Sequence, residues 1–507
     1  MALKRFFARI FAYFFVRKIY KAVSRPVEVQ DKVLKKLIET GRNTAFGYDH
    51  KFSSIKSYDD FKQQVPVKDY EALSPYIDRI AKGEANVLWK GKPVYLCKTS
   101  GTTSGVKYIP LTKESIPTHV RSIRNALFCY IAETGNTKFL KGKMIFIQGS
   151  PKLEKEGSIS VGRLSGISAH HVPSYLKRNN MPSYEVNCID DWESKIAAIT
   201  GETINENMAL IAGIPPWVQM YFDKLLKVSG KKYIKDVFPD FSLYIYGGVN
   251  FAPYRETFEK TIGKKIDSIE TYPASEGFIA YQDRQNAEGL LLNIDAGIFY
   301  EFIPADEYFN ENPTRISLKD VTVGVNYAII LNTNAGLWGY SIGDTVKFVS
   351  TDPYRLVVSG RIKHFTSAFG EHVISEEVEK ALAQATSETN TEITDFTVAP
   401  QITPSKGLPY HEWFIEFSKD PDDLKDFAQT LDEKMQEQNI YYKDLITGSI
   451  LKPLVITPIR KDGLISFMKS RGKLGGQNKL PRLSNDRIIA DELVKFADTE
   501  EIFNQSR

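Results

Sequence analysis

Thr99-Ser100-Gly101-Thr102-Thr103-Ser104-Gly105-Val106-Lys107-Tyr108-Ile109-Pro110 mixes hydroxyl side chains with two glycines and then reaches a lysine. Glycine lets main-chain N–H groups turn toward an anion, hydroxyls add donors, and a lysine supplies the counter-charge. The apolar run Val94-Tyr95-Leu96-Cys97 precedes the loop, and Thr112 opens a long helical pattern after it. A phosphate is held in this way. The loop is no Walker P-loop, because no G-x-x-x-x-G-K-[ST] runs through it. Taken alone, it reads equally well as a solvated turn.

Two further segments give the loop a context. Tyr272-Pro273-Ala274-Ser275-Glu276-Gly277 follows a strand-like run, and Leu337-Trp338-Gly339-Tyr340-Ser341-Ile342-Gly343-Asp344 comes later in the chain. In this order the three segments resemble the nucleotide motifs of the adenylate-forming superfamily, which includes acyl-CoA synthetases, peptide-synthetase adenylation domains and luciferases. Within it, S-G-T-T-x-G followed by K-Y-I-P, and L-(aromatic)-x-Y-x-(V/I)-G-D, are similar to the Gretchen Hagen family of acyl acid–amido synthetases. That family is known from auxin conjugation in plants, and this chain resembles a bacterial-type member. The resemblance runs from about Pro26 to Arg482.

Composition agrees with an enzyme of that size. At 507 residues the chain exceeds what one hydrophobic core usually supports, so two or more domains are expected. The 66 basic and 62 acidic residues leave a net charge of +4, too balanced for nucleic acid to be the main partner. Cys97, Cys129 and Cys188 are isolated, with no C-x-x-C pair, which points to a reducing cytoplasm and no structural zinc. No H-E-x-x-H, G-x-S-x-G or G-x-G-x-x-G occurs, so metalloprotease, α/β-hydrolase and dinucleotide-binding readings lack support.

Residues 1–25 carry Lys4, Arg5, Arg9, Arg17, Lys18, Lys21 and Arg25, and no acid occurs before Glu28. Phe7, Ile10, Phe11, Phe14 and Phe15 fall on one face of a helix. Arg9 and Arg17 interrupt the apolar run short of a membrane span, and no small-residue cleavage site marks a signal peptide. The preferred reading is a first helix packed on the main domain. The sharper one is a basic amphipathic helix lying on an anionic membrane surface.

Organisation along the chain is α/β. Helical patterns cover roughly 29–42, 57–82 and 112–134, around a strand at 93–98. Strand-like runs follow at Met144–Gln148, Met208–Ala212, Leu243–Tyr246 and Ile266–Ile269. Ligands of open α/β sheets sit beyond the carboxyl ends of strands, where the hydroxyl loop, Gly247-Gly248 and Tyr272–Gly277 all fall. From 289 to 358 short β-type runs dominate and suggest antiparallel pairing, a partial β-barrel on the main sheet. A boundary is expected at Ser359-Gly360-Arg361-Ile362-Lys363, dividing a domain over 1–362 from a small α/β lid over 363–507. By resemblance that lid is mobile, with Lys363 as its pivot. Ser375 is expected to cap the helix that follows, with Glu376 and Glu377 in its first turn.

The resemblance also implies a chemistry. A carboxylate does not react with an amine unaided, because its carbon is shielded by charge and its leaving group would be oxide. Attack on the α-phosphorus of ATP makes an acyl-adenylate whose AMP leaves readily. The site must neutralise phosphate charge, align the carboxylate and exclude water. By resemblance, Ser100, Gly101, Thr102, Thr103 and Lys107 belong to the phosphate loop, although the loop is one residue shorter before Lys107 than the usual plant form. Glu276 would hold Mg²⁺, Ser275 reach a phosphate, Tyr272 and Gly248 flank the adenine, and Asp344 accept the ribose hydroxyls. Arg361 would approach the ribose from the hinge. In Gln477-Asn478-Lys479-Leu480-Pro481-Arg482 the pattern Q-x-K-x-P-R makes Lys479 the lysine that bridges carboxylate and α-phosphate, with Lys473 as runner-up. Ser341 replaces an arginine common in plant members.

Gly162–Pro182 and Ile214–Val218 lie where the acyl site would be, and His170 and His171 read as hydrogen-bonded structural residues rather than bases. The reaction implied is ATP-dependent adenylation of a small carboxylic acid and transfer to an amino acid, by a monomer in the cytoplasm with membrane contact confined to residues 1–25. An acyl-CoA ligase shares the adenylation half, and a non-catalytic nucleotide-binding scaffold is the alternative of another class.

Overall fold

The computed structural model describes residues 2–100, 106–172, 178–248, 251, 255–362, 373–402, 404, 407–447, 450–474, 479–484 and 486–498. They fall into two compact units, 1–214 with 221–248 and 265–358, and 359–507 with 215–220 and 249–264.

The first unit holds two sheets. Its strands in chain order are β1 (Tyr95–Ser100), β2 (Val106–Leu111), β3 (Lys143–Phe146), β4 (Glu154–Glu156), β5 (Ile159–Gly162), β6 (Asn180–Met181), β7 (Met208–Ala212) and β8 (Leu243–Gly247). They continue with β9 (Asp267–Ala274), β10 (Gly277–Tyr281), β11 (Leu290–Leu292), β12 (Ile298–Pro304), β13 (Ile316–Ser317), β14 (Asn326–Thr333), β15 (Tyr340–Thr351) and β16 (Tyr354–Arg361), whose last residues pass into the second unit. The small sheet runs β2-β1-β5-β4. The large one runs β13-β12-β14-β15-β16-β11-β10-β9-β8-β7-β3-β6.

Strands β6, β3, β7, β8 and β9 pair in parallel, and their buried apolar runs are what a sheet covered on both faces requires. From β10 onward the described pairings are antiparallel. The run expected as a partial barrel is antiparallel, but it continues the main sheet edge to edge rather than closing on itself. A two-residue hairpin joins the halves: β9 ends at Ala274, Ser275 and Glu276 turn, and β10 starts at Gly277.

The helical pattern expected over 57–82 divides into Tyr58–Gln64 and Tyr70–Ala81. Pro66 biases Val65 to extended backbone, and Asp69 restarts the helix by accepting the Ala72 N–H at 3.1 Å. The pattern begun at Thr112 becomes helical only from Ile116.

The N-terminal helix, Ala2–Val23, packs along Ile116–Thr134. Ala12 is fully buried there, Phe15 stacks on Phe128 at 5.0 Å, and the Arg9 guanidinium donates to Gly135 O. Tyr20 donates to Asp283 at 2.5 Å, and Asp283 also holds Arg355 in a buried pair. So this helix is part of the domain. Of the face read from the sequence, Phe15 packs inward, whereas Phe7, Ile10, Phe11 and Phe14 are exposed; Ala12, Val16 and Ile19 complete the inner side. Small and β-branched residues allow the closer helix approach, and most of the bulky rings are left outside.

The second unit contains β17 (Glu392–Gln401), β18 (Tyr410–Lys419) and β19 (Val455–Ile459), with β17 antiparallel and β19 parallel to β18. Helices Ser375–Glu388 and Leu424–Gln438 cover the sheet through Val378, Leu382, Phe427 and Leu431 on Phe396, Trp413 and Ile415. Ser375 is the first helical residue rather than the cap, and the Glu377 carboxylate instead accepts the Ile374 N–H at 3.0 Å. Among the described residues no helix is long and apolar enough to cross a membrane.

Candidate functional site

β1 and β2 form an antiparallel hairpin with Ser100 opposite Val106. The segment Val106–Leu111, read from sequence as the end of the loop, is therefore a strand. Its β-branched and aromatic residues favour extended backbone once a partner strand is present. Gly101, Thr102 and Thr103 lie outside the described residues, as does the Ser100 side chain. Lys107 sits within β2 opposite Thr99, and its ammonium lies 5.2 Å from the centre of the Tyr70 ring. The Tyr70 hydroxyl in turn accepts the Tyr108 N–H at 2.9 Å. Nothing in the sequence linked Tyr70 to this lysine.

The second motif spans the end of β9 and its turn. Gly247 closes β8 beside Thr271 of β9, and a Cβ there would lie 2.4 Å from Thr271 O, so only glycine allows the strands this close. Gly248 follows at φ +81°, the left-handed region that favours glycine. Ser275 is buried, and its Oγ takes the Cys97 thiol at 3.2 Å. Burial, with the charge of Glu276 adding to it, pushes that thiol up to about 12. Cys97 therefore stays a neutral donor that fastens β1 to the β9–β10 turn. Glu276 is partly buried at the same turn.

The third motif is divided in its duties. Trp338 is fully buried against Phe46 and Phe52, and its indole N–H donates to Leu88 O at 3.0 Å. Gly339 holds φ +55°, and a Cβ there would meet Pro66 O at 2.4 Å. Ser341 is buried and accepts the Tyr308 hydroxyl at 2.8 Å, so the position where plant members often have arginine serves packing here. Asp344, on β15, accepts the Tyr272 hydroxyl at 2.6 Å. Two side-chain contacts link segments distant in sequence: Cys97–Ser275 joins the strand that leads into the first motif to the second motif, and Tyr272–Asp344 joins second and third.

In the second unit, Arg361 is the exposed last residue of β16, and Lys363 lies outside the described residues. Lys479 is exposed immediately before an anchored stretch. Arg482 pairs with Asp395 and Glu379, lies over the Phe396 ring at 4.7 Å, and donates to Phe396 O at 3.0 Å. Pro481 O accepts the Thr397 hydroxyl at 2.6 Å, and Val398 N–H donates to Arg482 O at 3.0 Å. In the Q-x-K-x-P-R pattern the arginine is therefore the structural member, tying the segment to β17. Gln477 is outside the described residues. Lys473, also exposed, follows the helix Gly463–Ser470.

His170 Nε2 bonds Pro151 O at 2.9 Å and His171 Nε2 the Tyr95 hydroxyl at 3.2 Å, as structural histidines do. Among the described residues, no three His, Cys, Asp or Glu cluster as metal ligands would.

Comparison with known proteins agrees across the chain. Residues 15–266 match the GH3 family N-terminal domain, 291–361 the GH3 family central domain and 376–488 the GH3 family C-terminal domain. Indole-3-acetic acid-amido synthetase GH3.15 of Arabidopsis thaliana is 23% identical over 94% of this chain and 92% of its own. Jasmonoyl–L-amino acid synthetase JAR4 of Nicotiana attenuata is 22% identical over 80% and 82%. In fold, the chain is similar to the solved AtGH3.15 acyl acid amido synthetase in complex with 2,4-DB, with a TM-score of 0.79 at 17% identity over 97% of this chain and 96% of that one. It is also similar to 2-hydroxyisobutyryl-CoA ligase in its postadenylation state, with a TM-score of 0.62 at 11% identity over 94% and 93%.

Proposed function

The chain belongs to the GH3 family, and from that membership we propose how its residues perform the reaction of an acyl acid amido synthetase. Such a ligase adenylates a carboxylic acid and passes the acyl group to an amino acid. The observation that supports the assignment of residues is the pair of contacts Cys97–Ser275 and Tyr272–Asp344, which link the strand leading into the first motif, the second motif and the third.

ATP is the first substrate. Ser100, Gly101, Thr102 and Thr103 serve as donors to its phosphates, with Lys107 as the positive charge. Ser275, held in place by Cys97, adds a hydroxyl. Asp344 takes the ribose hydroxyls, its carboxylate oriented by the Tyr272 hydroxyl, and the Tyr272 ring with Gly248 bounds the adenine. Arg361 serves the ribose, and Lys479 bridges the carboxylate and the α-phosphate, its segment fixed by Arg482. The lid, taken as residues 363–507, carries Lys479.

Magnesium fits these residues. Glu276 offers a single partly buried carboxylate, and a cation held by one carboxylate and by phosphate oxygens suits magnesium better than a closed protein cage does. When bound, the ion neutralises phosphate charge. Three free thiols support action in a reducing cytoplasm, and the enzyme is taken to act as a monomer.

A panel of carboxylic acids tested for ATP–pyrophosphate exchange, then for consumption of amino acids or coenzyme A, tests this function. Exchange with an accepted acid, followed by amino-acid-dependent amide formation, is expected. Consumption of coenzyme A with no amide product from any amino acid would overturn it.

A further inference from the structure

We propose that the outward face of the N-terminal helix docks the enzyme on an anionic lipid surface, with the aromatic side chains inserted at the headgroup boundary. The helix is anchored on its inner side by Ala12, by the Phe15–Phe128 stack and by Tyr20 on Asp283. Its outer side presents Phe7 at 47% exposure, Phe11 at 54% and Phe14 at 62%, with Phe6, Ile10 and Tyr13 also exposed. Isolated exposed apolar residues are ordinary, but a contiguous aromatic patch on a rigid helix marks an interaction surface.

Charge selects the occupant. Residues 1–27 carry seven cations and no acid, in a chain whose remaining 59 cations and 62 acids nearly cancel. Arg17, Lys18 and Lys21 are exposed on the same helix, C-terminal to the rings. A second copy of the chain would bring two cationic surfaces together, whereas an anionic bilayer takes up both the rings and the charge. The helix lies on such a surface and does not cross it. The match to the GH3 N-terminal domain begins at residue 15, so Phe6 to Phe14 lie outside the matched region. Docking there leaves the nucleotide motifs, on other elements, to work.

The test uses full-length protein co-sedimented with vesicles of phosphatidylcholine alone and of phosphatidylcholine with about one-third phosphatidylserine. Binding is expected to the second kind, with partition falling roughly tenfold when salt is raised from low to near-molar. The triple variant Phe7→Ser, Phe11→Ser, Phe14→Ser should stay folded, since these rings are exposed, and should lose binding while keeping its thermal midpoint. Lys18→Gln with Lys21→Gln should narrow the preference for anionic vesicles. Folded protein that ignores anionic vesicles, or a serine variant that binds undiminished, would overturn the proposal. A doubled mass by light scattering that the serine variant abolishes would overturn it too, assigning the face to self-association.

Discussion

At the scale of single residues, the motifs divide into side chains proposed to meet the nucleotide and side chains buried in the fold. Trp338 and Asp344 stand six positions apart in one motif with opposite roles. Trp338→Ala should lower stability by about 3–5 kcal/mol, because a fully buried ring and its bond to Leu88 O are both lost. Asp344→Asn should leave the unfolding midpoint nearly unchanged and weaken ATP binding by about 1.5–3 kcal/mol, roughly ten- to a hundredfold, by calorimetry. An unchanged affinity would move the ribose contact elsewhere. Glu276→Gln should reduce pyrophosphate exchange by at least about a hundredfold in a folded protein, since a charged metal ligand is gone. Near-normal exchange in that variant would remove Glu276 from the metal role.

Elements set the next level, and burial of charge decides two of them. Glu416 of β18 accepts the N–H groups of Asp462 at 2.8 Å and Leu464 at 2.9 Å, so it pins the start of the helix Gly463–Ser470 to the sheet. Burial nevertheless raises its carboxyl to about 7, outweighing those bonds. A carboxyl raised in the folded state holds its proton more readily folded than unfolded. Stability associated with it is therefore present at low pH and lost as pH rises from the ordinary glutamate value through 7. Glu416→Gln should flatten the fall in denaturant stability between about pH 5 and pH 8. A slope equal to that of the parent protein would assign the effect to another group. The N-terminal helix supplies the second case. Removal of residues 1–25 should lower the thermal midpoint markedly, because it uncovers the surface around Tyr130 and Phe128 and takes Tyr20 from Asp283. A truncated protein with the parent midpoint would show that the helix adds no stability.

For the whole molecule, the role proposed for Lys479 of the second unit predicts that its replacement separates the two half-reactions. With Lys479 bridging carboxylate and α-phosphate, Lys479→Ala should slow adenylate formation by about a few hundredfold, the loss of roughly 3–4 kcal/mol of transition-state stabilisation. Amide formation from a pre-made acyl-adenylate should be spared. Equal damage to both steps would give the residue a structural role, and damage to neither would pass the assignment to Lys473. Arg482→Ala is the informative companion, since it should loosen the segment and lower stability of the second unit together with adenylation.

Much of this was legible in the residues. The three motifs, their order and the strands at Met208–Ala212 and Leu243–Tyr246 follow from local pattern, because short apolar runs bounded by turn residues specify buried strands. The chain also carries its family in those motifs, since hydroxyls, glycines and single acids at fixed order are what a nucleotide requires. Partners distant in sequence left no such trace. The strand Val106–Leu111 exists because β1 supplies its hydrogen bonds, Ser275 is set by Cys97 and Asp344 by Tyr272, and Arg482 is an anchor because Asp395 and Glu379 surround it. Helical periodicity located the N-terminal helix and its apolar residues but not which of them a neighbouring helix covers, because a hydrophobic pattern does not record how closely that neighbour can approach. Only the packing of Ala12, Phe15 and Val16 against the helix Ile116–Thr134 decided that, and it left Phe7, Phe11 and Phe14 outward.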